Sequence, residues 1–127
     1  MNEMKLTTCH HIALIVPDYQ AAYTFYVEKL GFQVVADHQR ATDRLLNLRS
    51  GTVTLEIFVK PDAPQRLSYP EAQGLRHLAF QVPDVAAVVA TLAAVGVDCE
   101  PIRHDAFTGE AMTFCQAPGG LPLEFHE

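Results

Sequence analysis

The sequence has no tryptophan and only three cysteines, Cys9, Cys99 and Cys115, which show no paired spacing. An odd number of cysteines without such spacing is typical of a chain whose thiols stay reduced, so we expect no disulfide framework and a cytoplasmic location. The first residues, MNEMKLTTCH, contain no apolar stretch and no small-residue cleavage site, so we expect no export signal.

Long apolar runs and clusters of positive charge are also missing. No run of 18 apolar residues occurs, so a transmembrane helix is not expected. The 9 Lys and Arg residues stand against 15 Asp and Glu residues, which gives a formal net charge of −6. This balance disfavours a nucleic-acid backbone or an anionic membrane as a partner. With 127 residues, 49% of them hydrophobic and 19% charged, the chain is predicted to fold as a single domain, residues 1–127.

The sequence does contain an internal repeat. Residues 10–21 read HHIALIVPDYQA and residues 76–87 read RHLAFQVPDVAA, with identical residues at six of the twelve positions. A chance alignment of this length gives roughly one identity, so we interpret the segments as matching parts of two similar modules.

Each module is predicted to contain a strand, a helix and three further strands. Apolar runs at 9–16 and 77–82 predict buried strands, and the Pro-Asp pair after each run predicts the end of the strand and the N-cap of a helix. The further strands are expected near 32–38, 43–49 and 52–59, and near 97–103, 110–116 and 121–126. The predicted fold is therefore α+β, with βαβββ modules at 7–60 and 75–127 joined by a proline-containing linker at 61–74.

The first helix has a predicted buried face. Tyr19, Ala22, Tyr23, Tyr26 and Leu30 recur at the spacing of one face of an α-helix. A glycine at residue 31 then predicts the left-handed conformation that ends the helix.

One histidine and one glutamate recur at matching points of the two modules. Side chains alternate between the two faces of a strand, which places His11 and Glu56 on the face opposite the helix-packed one. His77 and Glu124 occupy the corresponding positions of the second module. If a pseudo-two-fold axis relates the modules, the four side chains converge, and two imidazoles with two carboxylates suit a divalent cation. The pattern predicts these four residues as metal ligands.

These features resemble the vicinal oxygen chelate superfamily, which includes glyoxalase I, fosfomycin-resistance proteins and extradiol dioxygenases. The segment HHIALIVPDYQAAYTFYVEKLGF is similar to the family's opening strand and helix, and LRHLAFQVPDV is similar to the start of its second module. The segments RLSYPEAQGLRHLAF, EPIRHDAFTGEAMTF and GGLPLEFHE resemble the small glyoxalase-I-like metalloproteins of the YaeR type. The resemblance implies two modules that form a cup around a divalent metal, with His11, Glu56, His77 and Glu124 as its ligands.

The resemblance also implies an activity. We expect a glyoxalase-I-like metalloenzyme, a lyase or isomerase acting on a small substrate with adjacent oxygens, in some cases a thiol adduct. The metal is expected to be Zn²⁺, Ni²⁺ or Co²⁺, with Fe²⁺ or Mn²⁺ as alternatives, and to stabilise an enediolate of the substrate. Glu124 or Glu56 is expected to act as the general base.

Two other functions stay open at this point. The first is an Fe(II) or Mn(II) dioxygenase or a thiol transferase of the same superfamily, although a second glutamate occupies a position that an oxygenase needs open. The second is a metal-free module that binds drugs or other small molecules. The lack of tryptophan disfavours that module, as do ligand-type residues at all four metal positions.

The assembly is predicted to be a homodimer, because sheets built from such modules leave exposed edges that favour pairing. The sequence leaves open whether the cup is completed within one chain or by two chains.

Further polar residues near these positions are weaker candidates. Cys9 and His126 share a face with a predicted ligand but are interpreted as structural or surface residues. Tyr69 and Glu71, in the linker, are candidates to close over the cup. The candidate anchors for an anionic group of the substrate are Arg76, Arg44, Arg49 and Arg103.

Overall fold

The computed structural model describes residues 3–127, and the contacts within the chain divide it between Ala63 and Pro64 into two compact units. The boundary falls inside the segment predicted as a linker, so that most of this segment belongs to the second unit. Each unit contains a four-stranded sheet and one helical segment.

The first unit begins with a strand and a helical segment and ends with three strands. Its elements are β1 (Ile12–Val16), α1 (Tyr19–Ala22), a π-helical continuation (Tyr23–Lys29), β2 (Gln33–Gln39), β3 (Arg44–Ser50) and β4 (Val53–Val59). The strand order in the sheet is β1-β4-β3-β2, with β1 parallel to β4 and the other pairs antiparallel.

The second unit repeats this order. Its elements are β5 (Leu78–Gln81), α2 (Val85–Ala94), β6 (Arg103–His104), β7 (Ala111–Gln116), a 3₁₀ turn (Pro118–Gly120) and β8 (Pro122–His126). The strand order is β5-β8-β7-β6, with β5 parallel to β8. The predicted α+β fold with two βαβββ modules is therefore confirmed.

Both predicted helix starts are present. The Asp18 carboxylate accepts a hydrogen bond from the backbone N–H of Ala21 at 2.8 Å, and the Asp84 carboxylate accepts one from Ala87 at 3.1 Å. Each aspartate thereby satisfies one of the N–H groups that the first turn of a helix leaves free.

One face of each sheet is buried and the other is open. In the first unit Leu14 and Val16 of β1 are buried, whereas Ile15, between them, is 58% exposed. In the second unit Leu123 and Phe125 of β8 are buried. The predicted alternation is therefore seen in the burial of β1 and β4, whereas on β8 Glu124 is buried together with its neighbours Leu123 and Phe125.

Three features of the secondary structure differ from the prediction. First, β1 and β5 begin at Ile12 and Leu78, so the two candidate histidines immediately precede their strands. Second, the strand predicted near 97–103 is reduced to the two residues of β6. Proline at position 101 has no N–H to donate to a ladder, and the hydroxyl of Thr113 donates to the carbonyl of Glu100 at 2.7 Å in place of a backbone bond.

Third, the helix after β1 changes its winding. From Tyr23 onward it is π-helical, with the N–H of Leu30 donating to the carbonyl of Phe25 at 3.0 Å. This wider turn buries Phe25 beside Tyr26, although Phe25 lies outside the predicted buried face.

No helix in the described part of the chain combines the length and the apolar character needed to cross a membrane.

An ion-pair cluster joins the turn between β2 and β3 to Lys60, the residue after β4. The Asp43 side chain is only 2% exposed and lies 2.6 Å from Nε of Arg40 and 3.2 Å from Nζ of Lys60. Hydrogen bonds from Arg40 are the main reason that the pKa of Asp43 is lowered to about 2. A carboxylate with a lowered pKa stabilises the folded state above its unfolded pKa and loses this effect as the pH falls through its folded pKa.

We therefore expect Asp43→Asn to destabilise the protein at pH 6. The difference between the free energies of unfolding of wild type and variant should shrink as the pH falls from about 4 to about 2. Urea unfolding across this range measures the effect, with Asp62→Asn, a change at an exposed aspartate, as the control. A constant difference across the range would contradict the assignment.

Candidate metal site and adjoining cleft

The first unit holds one of the predicted ligand pairs. Nε2 of His11 lies 3.5 Å from Oε1 of Glu56, and the two side chains are 38% and 25% exposed. The pairing of β1 with β4 sets Ala13 opposite Glu56, and His11 precedes Ala13 by two residues on the same side. The small alanine side chain lets the imidazole extend along the strand toward the carboxylate.

His10 helps to set the orientation of the His11 ring. Nδ1 of His10 and Nδ1 of His11 are 2.8 Å apart, and the two rings meet edge to face. This contact occupies Nδ1 of His11 and leaves Nε2 directed at Glu56. A partner on one ring nitrogen is the usual way in which a ligand histidine is oriented.

Asn47, which no motif of the sequence marks, lies beside Glu56. The two residues are direct partners in the β3–β4 pairing, and the Asn47 side-chain oxygen is buried with no hydrogen-bond partner among the residues described. The sequence does indicate this neighbour through the hairpin turn at Gly51. Counting outward from the turn along both strands pairs Asn47 with Glu56.

The second unit holds the other predicted pair in a tighter arrangement. Nε2 of His77 lies 2.9 Å from Oε1 of Glu124, whose side chain is only 9% exposed. Glu124 stands between Ala79 of β5 and Phe114 of β7 in the sheet, and the Phe114 ring meets the His77 ring edge to face at 5.2 Å. Its carboxylate therefore has an imidazole partner and apolar neighbours on the strands at either side.

A cleft of about 740 Å³ lies within the second unit and includes both members of this pair in its lining. One wall comes from the segment Arg66–Ala72, and the opposite wall comes from the open face of the sheet, including Met112 and Phe114. Tyr69 and Glu71, the candidates to close over the cup, both line this cleft. The volume is within the usual range for clefts that bind small molecules.

Two arginines form hydrogen bonds that hold the segment before His77 in place. The Arg76 guanidinium donates two hydrogen bonds to the Glu71 carboxylate, at 2.9 and 3.0 Å. Nη2 of Arg66 donates to the backbone carbonyls of Leu75 and Arg76, both at 2.7 Å. The sequence analysis missed Arg66, because its partners are backbone carbonyls, which no residue pattern identifies.

The remaining arginine candidates differ in their surroundings. Arg103 lines the cleft, and its guanidinium lies 5.4 Å from the centre of the Phe114 ring. Arg44 is bound to Asp37 by two hydrogen bonds of 2.9 and 3.0 Å, and Arg49 donates to the Thr54 hydroxyl at 3.3 Å. Arg103 is therefore the one of these three that lines the cleft.

His126 and Cys9 have local contacts. The two ring nitrogens of His126 lie 3.6 Å from Asp105 and 3.4 Å from Glu110, so this histidine connects β8 to the loop before β7. The Cys9 thiol is exposed and donates to the carbonyl of His11 at 3.6 Å.

The donor atoms suit a divalent metal ion. Each pair supplies one imidazole nitrogen and one carboxylate oxygen, the donors that Zn²⁺, Ni²⁺ and Co²⁺ accept. Among residues 3–127, no group of three or more His, Cys, Asp or Glu side chains is close enough to hold a metal ion. The assignment of His11, Glu56, His77 and Glu124 as a single ligand set therefore stays a prediction.

Known proteins are similar to this chain in sequence and in fold. The family model of the Glyoxalase/Bleomycin resistance protein/Dioxygenase superfamily matches residues 8–125. YaeR of Escherichia coli (strain K12) is 44% identical over 130 residues, which cover 98% of each chain. The 2-epi-5-epi-valiolone epimerase of an Actinomyces species is 33% identical over 139 residues, covering 91% of this chain and 76% of that protein.

A solved structure agrees with this relationship. The crystal structure of a glyoxalase family protein from Enterococcus faecalis matches with a TM-score of 0.94 and 49% identity, covering 98% of this chain and 100% of that one. The chain is therefore a YaeR-like member of the glyoxalase, bleomycin resistance protein and dioxygenase superfamily.

Proposed function

We propose that this chain is a glyoxalase-I-like metalloenzyme, a lyase or isomerase that moves a proton next to a carbonyl in a small substrate with adjacent oxygens. The observation that carries the proposal is the His77–Glu124 pair, a nearly buried carboxylate 2.9 Å from an imidazole in the lining of a cleft. The relationship to a protein named as an epimerase supports it, because one way to invert a carbon centre is to remove a proton from it and return one.

In this proposal His11, Glu56, His77 and Glu124 are the ligands of one divalent metal, with Zn²⁺, Ni²⁺ or Co²⁺ preferred and Fe²⁺ or Mn²⁺ as alternatives. When bound, such a metal polarises substrate oxygens and stabilises negative charge that develops on them. The open faces on which the two pairs lie support this assignment, because their donors are accessible to an ion without unfolding a strand.

Glu124 is the proposed general base. Its carboxylate is paired through Oε1 with His77 and lines the cleft, where in this proposal it accepts a proton from the substrate. Its side chain is only 9% exposed and has Ala79 and Phe114 as cross-strand neighbours, which limits its contact with water. Glu56 is more exposed and lies farther from its histidine, so its proposed role is to hold the metal.

The substitution Glu124→Gln should separate binding from catalysis. Glutamine keeps a carbonyl oxygen but cannot accept a proton at neutral pH. We expect substantial retained metal and a kcat lower by about a hundredfold or more, since loss of a general base typically costs 10²–10⁴ in rate. Turnover of a methylglyoxal–thiol hemithioacetal, together with metal content, measures the two effects.

Glu56→Gln is the matched control for this experiment. It should weaken metal binding more than it slows turnover per bound metal ion. The reverse pattern would exchange the roles of the two glutamates. Normal turnover per metal ion in both variants would contradict the proposed proton transfer.

Metal should also stabilise the fold, because two carboxylates at an empty site repel each other. A ligand that binds only the native state adds roughly 3 kcal/mol at a hundredfold excess over its Kd. We expect a chelator to lower the Tm of wild type, and His11→Ala to abolish this difference. The control is His38→Ala, which removes an exposed histidine of the same unit. Equal melting curves of metal-loaded protein with and without chelator would refute the prediction.

The proposed assembly is a homodimer located in the cytoplasm. In each described sheet the two outer strands, β1 and β2 or β5 and β6, present an edge that pairing within that sheet leaves free. All three cysteines are free thiols, as a reducing compartment would keep them.

Light scattering should therefore give a mass about twice that of the 14.0 kDa chain. A dimer should persist on dilution through the micromolar range. A mass of one chain throughout this range would contradict the assembly without affecting the proposed chemistry.

A further inference from the structure

The charged groups of the cleft are unequally matched. Three guanidiniums line it, those of Arg66, Arg76 and Arg103. Arg76 is bound to Glu71, and Arg103 lies 3.6 Å from Glu100. Within the part of the chain described here, Arg66 has no carboxylate at ion-pair distance. Hydrogen bonds from Arg76 are the main reason that the pKa of Glu71 is lowered, and the charge of Arg66 adds to this lowering only from beyond ion-pair distance. Arg66 is therefore the guanidinium of the cleft least occupied by a carboxylate.

Arg66 is also held in place before any ligand arrives. Its Nη2 group donates to two backbone carbonyls at 2.7 Å, which fixes the plane of the guanidinium. A guanidinium has five N–H donors, and Nη2 uses two of them, so the three on Nε and Nη1 stay available. A prearranged donor loses little side-chain entropy when a ligand binds.

The position of Arg66 connects it to the proposed reaction. The two carbonyls that hold it belong to Leu75 and Arg76, the residues directly before His77. A ligand group bound to Arg66 is thereby fixed to the same short segment that carries a proposed metal ligand.

The charge of the cleft selects among anions. Its lining contains five carboxylates, those of Glu71, Asp98, Glu100, Asp105 and Glu124, against the three guanidiniums. This excess repels a doubly charged phosphate more than a singly charged carboxylate, and the hydrogen bonds from Arg66 have to outweigh the weaker repulsion of the carboxylate.

We propose that Arg66 binds a carboxylate of the substrate, so that the enzyme acts on small carboxylic acids whose adjacent oxygens lie at the other end of the molecule. This inference rests on the proposed function for the reacting end, but the binding of the carboxylate needs no metal and no turnover.

The test compares butyrate with butyramide, which has the same size and no charge. Dissociation constants are measured by NMR titration of the whole protein, both metal-loaded and after chelator treatment. We expect wild type to bind butyrate more tightly than butyramide by roughly tenfold or more in both states, as for hydrogen bonds to a charged group.

Variants then assign the preference to Arg66. Arg66→Gln should abolish it, and Arg66→Lys, which keeps the charge but not the fixed fork, should retain part of it. Asp98→Asn and Arg49→Gln should keep the preference for butyrate, because neither removes Arg66. The first removes a negative charge from the cleft, and the second removes a guanidinium from the other unit. If Arg66→Gln fails to fold, Arg66→Lys with a preference equal to wild type would still overturn the assignment.

The outcomes separate this inference from the proposed function. Equal binding of acid and amide by wild type, or a preference that survives Arg66→Gln, overturns the carboxylate site even if metal and turnover are as proposed. Tighter binding of propyl phosphate than of butyrate also overturns the assignment to a carboxylate. A preference that depends on Arg66 in a protein that binds no metal supports the site while the proposed chemistry fails.

Discussion

Parallel pairing between the first and last strands of each unit is the constraint on which the candidate site depends. It sets Ala13 opposite Glu56 and Ala79 opposite Glu124, with a histidine two residues before each alanine. A register slip of one residue would move each histidine to the opposite face from its glutamate. The alanines matter as well, because a larger side chain there would block the path from imidazole to carboxylate.

The same backbone arrangement produces two different chemical environments. Glu56 lies beside Asn47 and is a quarter exposed, whereas Glu124 lies beside Phe114 and is nearly buried. The proposed division of labour follows this difference, with the more exposed Glu56 assigned to holding the metal and the nearly buried Glu124 assigned to proton transfer. The cross-strand neighbour that differs between the two units, Asn47 in one and Phe114 in the other, therefore distinguishes two glutamates that the repeat leaves equivalent.

The features predicted correctly from the sequence are those carried by local periodicity. Strand alternation placed the histidines and glutamates on the open faces, and Asp18 and Asp84 were identifiable as caps from the proline before each. Features that depend on contacts between distant residues were not predictable. The π-helical winding that buries Phe25 departs from the spacing from which the helix was predicted, whereas the shortening of the strand to β6 follows from Pro101, a signal that the sequence does contain.

Arg66 shows most clearly why the cleft could not be predicted from the sequence. Its role depends on two carbonyls nine and ten residues later in the chain, and every residue but the chain terminus carries an equivalent carbonyl. These bonds join Arg66, at the start of the wall Arg66–Ala72, to Leu75 and Arg76. The wall of the cleft and the residues before His77 are therefore held together as one loop. A carboxylate bound to Arg66, as proposed, would be held by the same two hydrogen bonds that hold the residues before His77, so the proposed binding site and the proposed metal ligand share one structural support.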